Sequence, residues 1–198
     1  RKNVTSTDTI LQQYNLRKKK YILYVGTLQP RKNIETLIAA FDTFRENHSE
    51  YSLVIAGKKG WLFERIFQEV RQRKLENSII ITGYVTDEDL DSLYDHALVY
   101  VMPSLYEGFG IPILEAMSHS CPVISSQTSS LPEVGGDACL YFDPTHAEEL
   151  TKKLEMILNE KELTHKLVKA GTSRVKAFSW TSCADETLSA IKGTISSV

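Results

Sequence analysis

Short apolar runs alternate with helix-length stretches along this sequence, and no other feature restricts the possible folds as strongly. The apolar runs are strand-like and lie at 21–26, 51–56, 78–82, 98–102, 122–125 and 138–142. Strands separated by helices predict βαβ units, whose strands lie parallel in one sheet. Leu98–Met102 is apolar on both sides, which indicates that helices cover both faces of the sheet. We therefore predict an α/β fold, a Rossmann-like doubly wound parallel sheet of about six strands.

The stretches between the strands carry apolar residues at the spacing of helices that pack on a sheet. One stripe comprises Ile34, Leu37, Ile38, Phe41 and Phe44, and another comprises Leu150, Leu154, Ile157 and Leu158. The pattern after about residue 160 is helical and ends without a further strand. Residues 1–20 are polar and irregular, so we interpret them as a linker or residual N-terminal segment before one domain at 21–198.

Composition excludes several classes of protein. The 198 residues are 42% hydrophobic and 24% charged, which is typical of a globular domain rather than a disordered chain. The formal net charge of −2 gives no overall attraction to nucleic acid, so we expect no nucleic-acid partner and only a local anion site. The three cysteines are far apart and odd in number, which suggests neither a disulfide framework nor a zinc ribbon and fits a reducing compartment.

The membrane signals in the sequence are weak. No apolar run reaches the length of a membrane span and no signal peptide is recognisable, so we expect a soluble, cytoplasmic protein. One run of positive charge, Arg17–Lys20, could contact anionic lipid or an acidic acceptor. Such runs more often are solvated lead-ins to a buried strand, and we favour that interpretation.

Ligands of open parallel sheets bind beyond the carboxyl ends of the strands, so the loops there are the candidate sites. The loop after the first strand, Gly26–Asn33, delivers Arg31 and Lys32 side by side just before a helix that Asn33 can cap. A planar guanidinium and a compact ammonium group together suit a diphosphate. The alternative that both are solvated turn residues is equally compatible with this loop alone.

A second loop combines glycines with the start of a helix. Gly108 and Gly110 expose backbone amides, and Pro112 suits the first turn of the helix that follows. Amides at a helix N-terminus bind an oxyanion without a side-chain charge. Glu107 and Glu115 flank this loop, and a carboxylate beside a phosphate requires a ligand that also offers hydroxyl groups.

A nucleotide-sugar has both phosphates and hydroxyl groups. Glu115 could accept hydrogen bonds from the ribose diol and Glu107 from a sugar hydroxyl. The alternative for Glu115 is a carboxylate stabilised by the helix dipole alone, by roughly 0.3–1 kcal/mol.

The third loop, Gly83–Val85, could present backbone groups to a base at the edge of the same crevice. It leads directly into a helix, because Thr86 and Asp89 have the spacing of a capping box. We prefer that role for the acidic cluster to a metal site, since a metal would duplicate Arg31 and Lys32. His119 follows the Glu115 helix, and we expect it to cap that helix end.

Taken in chain order, these motifs resemble a known family. They are Val25-Gly26, Pro30-Arg31-Lys32-Asn33, Glu107-Gly108-Phe109-Gly110, Glu115-Ala116-Met117, Pro122-Val123 and Leu131-Pro132-Glu133-Val134. In this order they are similar to the C-terminal domain of the group-one (family four) retaining glycosyltransferases, which are two-domain enzymes of the GT-B fold. The most specific element is the pair Glu107 and Glu115, and the resemblance extends over nearly everything from about residue 21 onward.

The resemblance implies a site for a nucleotide-diphosphate sugar. Arg31 and Lys32 would bind its diphosphate, Glu115 its ribose and Glu107 the transferred sugar, and the base would lie near Gly83–Val85. The residues implied to bind the donor are Gly26, Thr27, Arg31, Lys32, Gly83, Tyr84, Val85, Glu107, Gly108, Phe109, Gly110, Ile111 and Glu115. The implied catalytic residues are Arg31, Lys32 and Glu107, acting with retention of anomeric configuration and with no bound metal or other cofactor.

The sequence departs from the family pattern at two positions. Thr27 stands where many members have arginine, so Arg31 would have to supply that charge. Ser120 stands where members commonly have glycine, and if that turn needs a positive φ, serine costs roughly a kilocalorie per mole or less.

Family members also carry an acceptor-binding domain before the donor-binding one, and residues 1–20 cannot supply it. We therefore expect the isolated chain to bind donor without transferring sugar. The implied acceptor is a glycan or lipid-linked molecule, with peripheral association of the full-length enzyme at the cytoplasmic membrane face during polysaccharide, lipopolysaccharide or glycolipid assembly. The alternatives are an epimerase that uses a nucleotide-sugar and a catalytically silent α/β nucleotide-binding module.

Overall fold

The computed structural model describes residues 9–195 and contains one parallel sheet of six strands. The strands are β1 (Tyr21–Val25), β2 (Ser52–Ala56), β3 (Ile79–Gly83), β4 (Val99–Met102), β5 (Val123–Ser126) and β6 (Cys139–Phe142). The helices are α1 (Thr9–Gln13), α2 (Ile34–Asn47), α3 (Glu64–Gln72), α4 (Asp87–His96), α5 (Ile111–Ser118), α6 (Leu131–Gly135), α7 (Ala147–Asn159), α8 (Lys161–Val175) and α9 (Trp180–Ile195), with 3₁₀ turns at Pro30–Lys32 and Gly136–Ala138. The predicted α/β fold is confirmed, and each strand lies within one residue of its predicted run.

In the strand order β3-β2-β1-β4-β5-β6, the first strand of the chain, β1, lies in the middle of the sheet beside β4. Successive connections run outward from β1 to β3 and then return to the other side of β1 with β4. This reversal between β1 and β4 creates a crevice at the carboxyl ends of those two strands, where ligands of doubly wound sheets bind. The loops that follow β1 and β4 are the ones that carry Arg31, Lys32 and Glu107.

Both faces of the sheet are buried by helices. Along β1 the side chains alternate, so that Ile22 and Tyr24 face one core and Tyr21 and Leu23 face the other. The first core is closed by α2, α3 and α7, and the second by α1, α4, α5 and α6. The two predicted apolar stripes lie in the first core, with Leu158 at its edge. Helices on both faces explain why these strands are apolar on both sides.

The segment that we interpreted as a linker contributes to the fold. Ile10 and Leu11 of α1 are buried in the second core, and Leu16 joins them. The adjacent pair Ile10 and Leu11 is too short a pattern to show a helical period, so no extended apolar stripe reveals the helix. The part of this segment before residue 9 lies outside the described residues.

The positive run Arg17–Lys20 binds the protein itself at the amino ends of the strands. Arg17 donates to the carbonyl oxygen of Glu50 at 2.9 Å, and Lys20 Nζ lies 3.0 Å from the Glu50 carboxylate. Lys19 Nζ donates to the carbonyl oxygen of Ala97 at 2.9 Å. The run therefore lies at the sheet edge opposite the crevice. Among residues 9–195, none of the helices is both long enough and apolar enough to cross a membrane.

Ser120 occupies the turn that ends α5 with a φ of 55°, so the conditional expectation of a positive φ is confirmed. The amide of Ser120 donates to the carbonyl oxygen of Met117, and the amide of Cys121 donates to that of Ala116. This is the Schellman pattern, whose left-handed position favours glycine. His119 is the C-cap residue of α5, as predicted.

We predict that Ser120→Gly stabilises the fold. Glycine adopts the left-handed region without the cost that serine carries there, and its greater freedom in the unfolded chain offsets part of the gain, which leaves up to about 1 kcal/mol. Urea denaturation measures the difference. Ser173→Gly, at an exposed position inside α8, is the matched control and should cost about 0.5–1 kcal/mol. A loss of stability in Ser120→Gly as large as the control's would contradict the prediction.

Candidate functional site

The carboxylate of Glu107 lies at the centre of the candidate site. Its Oε1 lies 2.5 Å from Lys32 Nζ and accepts from Ser104 Oγ at 2.7 Å, while its Oε2 lies 2.9 Å from a terminal nitrogen of Arg31. The same Arg31 nitrogen also donates to the carbonyl oxygen of Tyr106. One carboxylate that follows β4 therefore binds both cations that follow β1, across the crevice between the two strands.

Burial and hydrogen bonding act on Glu107 in opposite directions. Burial raises the pKa of this carboxyl group, but the hydrogen bonds from Lys32, Ser104 and Arg31 outweigh burial and hold the pKa below its ordinary value. Glu107 is therefore ionised at neutral pH. Two cations and one carboxylate leave the cluster with a net positive charge, which attracts an anion into the crevice.

The two cations differ in how open they are. The Arg31 side chain is 40% exposed, whereas that of Lys32 is 14% exposed. The ammonium group of Lys32 has three N–H donors, so two remain after the contact with Glu107. Thr27, where the family pattern has arginine, is exposed in the same loop. Both cations are thus positioned to contact a ligand that enters the crevice.

Asn33 holds the loop after β1 against two other loops. The residue is the N-cap of α2, but its side chain makes no capping hydrogen bond. Its amide nitrogen instead donates to the carbonyl oxygens of Pro103 at 3.0 Å and Pro144 at 2.8 Å. Asn33 is thus the N-cap residue by position, as predicted, but its Oδ1 accepts from Thr36 Oγ1 at 2.8 Å instead of from a backbone amide, and its Nδ2 binds the loops that follow β4 and β6.

The glycine loop 108–110 leads into α5 as predicted. Gly110 has a φ of 106°, and a Cβ there would lie 2.7 Å from Leu131 Cδ2, so this position requires glycine. Ser130 Oγ lies 3.0 Å from the carbonyl oxygens of both Glu107 and Phe109. Since the loop is anchored through carbonyl oxygens, its amides at the start of α5 can bind an oxyanion.

Glu115 lies one turn into α5 and is half-buried. Its Oε2 accepts a hydrogen bond from the hydroxyl of Tyr94 at 3.1 Å. Glu115 also lines a groove of about 550 Å³ together with Phe109, Ile111 and Trp180. Among residues 9–195, Tyr94 is the one hydrogen-bond partner of this carboxylate, and the residue borders the groove.

The loop predicted to hold a base lies two strands from the charged cluster. The Gly83 carbonyl oxygen accepts from the amide of Gly57, and a Cβ on Gly57 would lie 1.9 Å from the carbonyl oxygen of Gly26. The backbones that follow β1, β2 and β3 are therefore in contact, which joins this loop to the crevice. Thr86 accepts from the amide of Asp89 at 3.2 Å, so the predicted cap of α4 is confirmed.

Sequence reasoning missed several polar residues that shape the site. Ser104 and Ser130 bind the Glu107 loop, and Tyr94 binds Glu115. A signal was available in Ser125–Ser130, a run rich in hydroxyl groups at the carboxyl end of a strand. Lys58 is a further omission: it follows β2 and its Nζ lies 4.6 Å from the ring centre of the exposed Tyr84.

The structure thus brings Arg31, Lys32 and Glu107 together and places Glu115 and the loop 83–85 at separate parts of the same sheet edge. Within the described part of the chain, no group of three or more His, Cys, Asp or Glu side chains is arranged to hold a metal ion. Asp87 and Asp89, which we considered as metal ligands, lie in the first turn of α4.

Comparisons with known proteins find similar sequences and similar folds. A family model described as "Glycosyl transferases group 1" matches residues 6–174. The chain is 41% identical over 184 residues to the O-antigen chain mannosyltransferase B of Escherichia coli, and the match covers 92% of this chain and 48% of that protein. The chain therefore spans about half the length of this relative.

Solved structures have the same fold. Sucrose-phosphate synthase from Thermosynechococcus elongatus superposes with a TM-score of 0.82 at 29% identity, covering 96% of this chain and 49% of that one. The C-terminal domain of a glycosyl transferase group 1 family protein from Francisella tularensis gives a TM-score of 0.75 at 24% identity and covers 89% of this chain and 93% of that one. The six-stranded unit therefore corresponds to one domain of these larger proteins.

We predict that Glu107 contributes to stability only while it is ionised. Its pKa is lowered in the folded protein from an ordinary value of 4.5, so the contribution is complete above that pH and disappears as the pH falls through the lower value. Urea denaturation at about pH 6 and about pH 3 should show that Glu107→Gln is less stable than the parent at the higher pH and that the two converge at the lower one. The exposed Glu76→Gln is the control and should follow the parent. A constant difference between Glu107→Gln and the parent at both pH values would contradict the prediction.

Proposed function

Because this chain belongs to the group 1 glycosyltransferases, we propose that its crevice binds the nucleotide-sugar donor of a sugar-transfer reaction that retains anomeric configuration. The observation that carries this proposal is the contact of Arg31 and Lys32 with Glu107 at the point where the strand order reverses. A diphosphate requires fixed positive charge, and a sugar requires hydrogen-bond acceptors, and this cluster offers both.

The diphosphate is assigned to Arg31, Lys32 and the amides of Gly108–Ile111. The net positive charge of the cluster supports this assignment. Arg31 and Lys32 carry two positive charges and Glu107 carries one negative charge, so the cluster attracts a diphosphate even while Glu107 stays ionised. The exposed guanidinium of Arg31 can form two parallel hydrogen bonds to phosphate oxygens. Its position in the loop supports the view that Arg31 supplies the charge that Thr27 lacks.

The nucleoside is assigned to the other side of the glycine loop. Glu115 accepts from the ribose hydroxyl groups, and the base lies against the loop Gly83–Val85. The open space beside Glu115 and the exposed ring of Tyr84 support these assignments. A base would stack on the ring of Tyr84. The Lys58 ammonium group lies over this ring and would move aside if the base took the same face.

Bond cleavage places new negative charge on the leaving diphosphate, and the residues at its oxygens stabilise that charge. Arg31, Lys32 and the amides at the start of α5 are already oriented when the substrate binds, which lowers the cost of reorganisation during the reaction. Glu107 has one acceptor position left on Oε2 for a sugar hydroxyl. Because Glu107 is paired with two cations, we assign it to orienting the sugar rather than to nucleophilic attack.

The acceptor is assigned to a part of the enzyme outside this chain, which spans about half of its mannosyltransferase relative. We propose a glycan or lipid-linked acceptor, in the cytoplasm at the inner face of the membrane, and no metal or other cofactor. Mannose is the first sugar to test, because one similar protein is the O-antigen chain mannosyltransferase B of Escherichia coli. The family match disfavours an epimerase and a silent binding module.

We predict that one of the diphosphates UDP, GDP, ADP and dTDP binds this chain. Thermal-shift and calorimetric titrations identify it, because a ligand at about 100 times its dissociation constant stabilises the fold by about 2.7 kcal/mol. Lys32→Ala and Glu115→Ala should each weaken binding by about tenfold or more, the effect of losing a charge-assisted hydrogen bond.

Lys166→Ala is the matched control, because it removes an exposed lysine on α8 and should bind as the parent does. If none of the four diphosphates binds, or if Lys32→Ala and Glu115→Ala bind like the control, the donor-site proposal is wrong.

We further expect that this chain alone transfers no sugar, because the groups that bind the acceptor are assigned outside it. Mass spectrometry of acceptor oligosaccharides incubated with the chain and GDP-mannose or UDP-glucose measures the product. Product formed faster than in the reaction without protein would show that the acceptor site lies within these residues.

A further inference from the structure

Tyr94 connects the carboxylate of Glu115 to α4. Tyr94 lies near the end of that helix and is 1% exposed. Its hydroxyl donates to Glu115 Oε2 at 3.1 Å, from a helix that packs beside α5. Nothing in the sequence pattern separates this tyrosine from the other buried aromatic residues. Its hydroxyl, however, points out of the core at a carboxylate that lines the groove.

The Tyr94 ring is held from two sides. The ring of His119 stacks on it, with centroids 5.6 Å apart and an angle of 17° between the planes. Tyr100 packs edge-on from the sheet, also with centroids 5.6 Å apart. Because the ring is held on its face and at its edge, the Tyr94 hydroxyl group has a fixed position beside Glu115.

His119 is itself fixed by two carboxylates of α4. Its Nδ1 lies 2.8 Å from Asp95 and its Nε2 lies 3.1 Å from Asp91. These contacts attach the end of α5 to the helix that carries Tyr94. The group that donates to Glu115 and the helix that carries Glu115 therefore have a fixed relative position.

The phenol remains a donor over the whole working pH range. Burial raises the pKa of Tyr94 well above its ordinary value, and the negative charge of Glu115 acts in the same direction. The hydroxyl of Tyr94 therefore keeps its proton beside the carboxylate.

We propose that Tyr94 is a positioning residue for the donor site, which holds one oxygen of Glu115 so that the other accepts from the ribose diol. The inference rests on the proposed function, since it assigns Tyr94 to the ribose contact of that same site. A free glutamate side chain occupies many rotamers and loses that freedom when it binds a ligand. The hydrogen bond from Tyr94 removes part of that freedom before the nucleotide arrives.

The test compares ligands with and without the ribose diol. Calorimetry gives the dissociation constants of GDP, UDP and ADP and of their 2′,3′-dideoxy counterparts for the parent chain and its variants. The measured ratio is the dissociation constant of the dideoxy ligand divided by that of the ligand with the ribose diol. In the parent this ratio should be about ten or more, and in Glu115→Ala it should fall to about one. In Tyr94→Phe the ratio should be smaller than in the parent by about threefold or more.

Tyr21→Phe is the matched control. It removes the hydroxyl of a buried phenol on β1 that donates to the carbonyl oxygen of Leu93 in α4 at 2.7 Å and makes no hydrogen bond to Glu115. General damage to the fold lowers the affinity for both forms of the ligand and leaves the ratio unchanged. A lower ratio in Tyr94→Phe together with a parental ratio in Tyr21→Phe therefore supports a positioning role.

A parental ratio in Tyr94→Phe overturns the inference and leaves the donor site intact, provided that Glu115→Ala has lost the preference for the diol. A parent chain that binds none of the six ligands, or that shows no preference for the diol, overturns the proposed ribose site and the inference with it. If Tyr94→Phe does not fold, His119→Ala provides the same measurement, because it removes the stacked ring and keeps the hydroxyl. In that variant a reduced ratio supports the inference and a parental ratio contradicts it.

Discussion

The contact of Glu107 with Arg31 and Lys32 is the interaction on which the site depends. It joins the loops that follow β1 and β4, the neighbouring strands at which the direction of the sheet order reverses. Without that reversal the two loops would be separated by intervening strands, and their charges would not meet. The fold therefore sets where the charges meet, and the charges in turn hold the crevice in one shape.

Backbone packing fixes the remainder of this sheet edge. A Cβ on Gly57 would lie 1.9 Å from the carbonyl oxygen of Gly26, so Gly57 has to be glycine, and its amide donates to the carbonyl oxygen of Gly83. Asn33 attaches the first loop to the loops after β4 and β6. Five loops are therefore connected by backbone contacts and by the Asn33 side chain, without use of the side chains of Arg31 and Lys32.

The sequence predicted features that depend on local spacing. The strands, the apolar stripes of α2 and α7, the cap at Thr86 and the left-handed turn at Ser120 each follow from residues close together in the chain. Contacts between distant segments were not predictable in this way. Asn33 binds residues 70 and 111 positions away, and Tyr94 meets Glu115 only because α4 and α5 pack together. The buried helix α1 was missed because its apolar residues form no extended stripe.

Helix α4 connects two parts of the site that the chain separates. Its N-cap, Thr86, comes directly after the loop assigned to the base, and the helix carries Tyr94, which contacts the carboxylate assigned to the ribose. Eight residues of helix span roughly 12 Å, and a helix resists compression. The helix therefore acts as a spacer of constant length between the two contacts. A displacement of the loop 83–85 along the axis of α4 would therefore be transmitted to Tyr94 and to its hydrogen bond with Glu115.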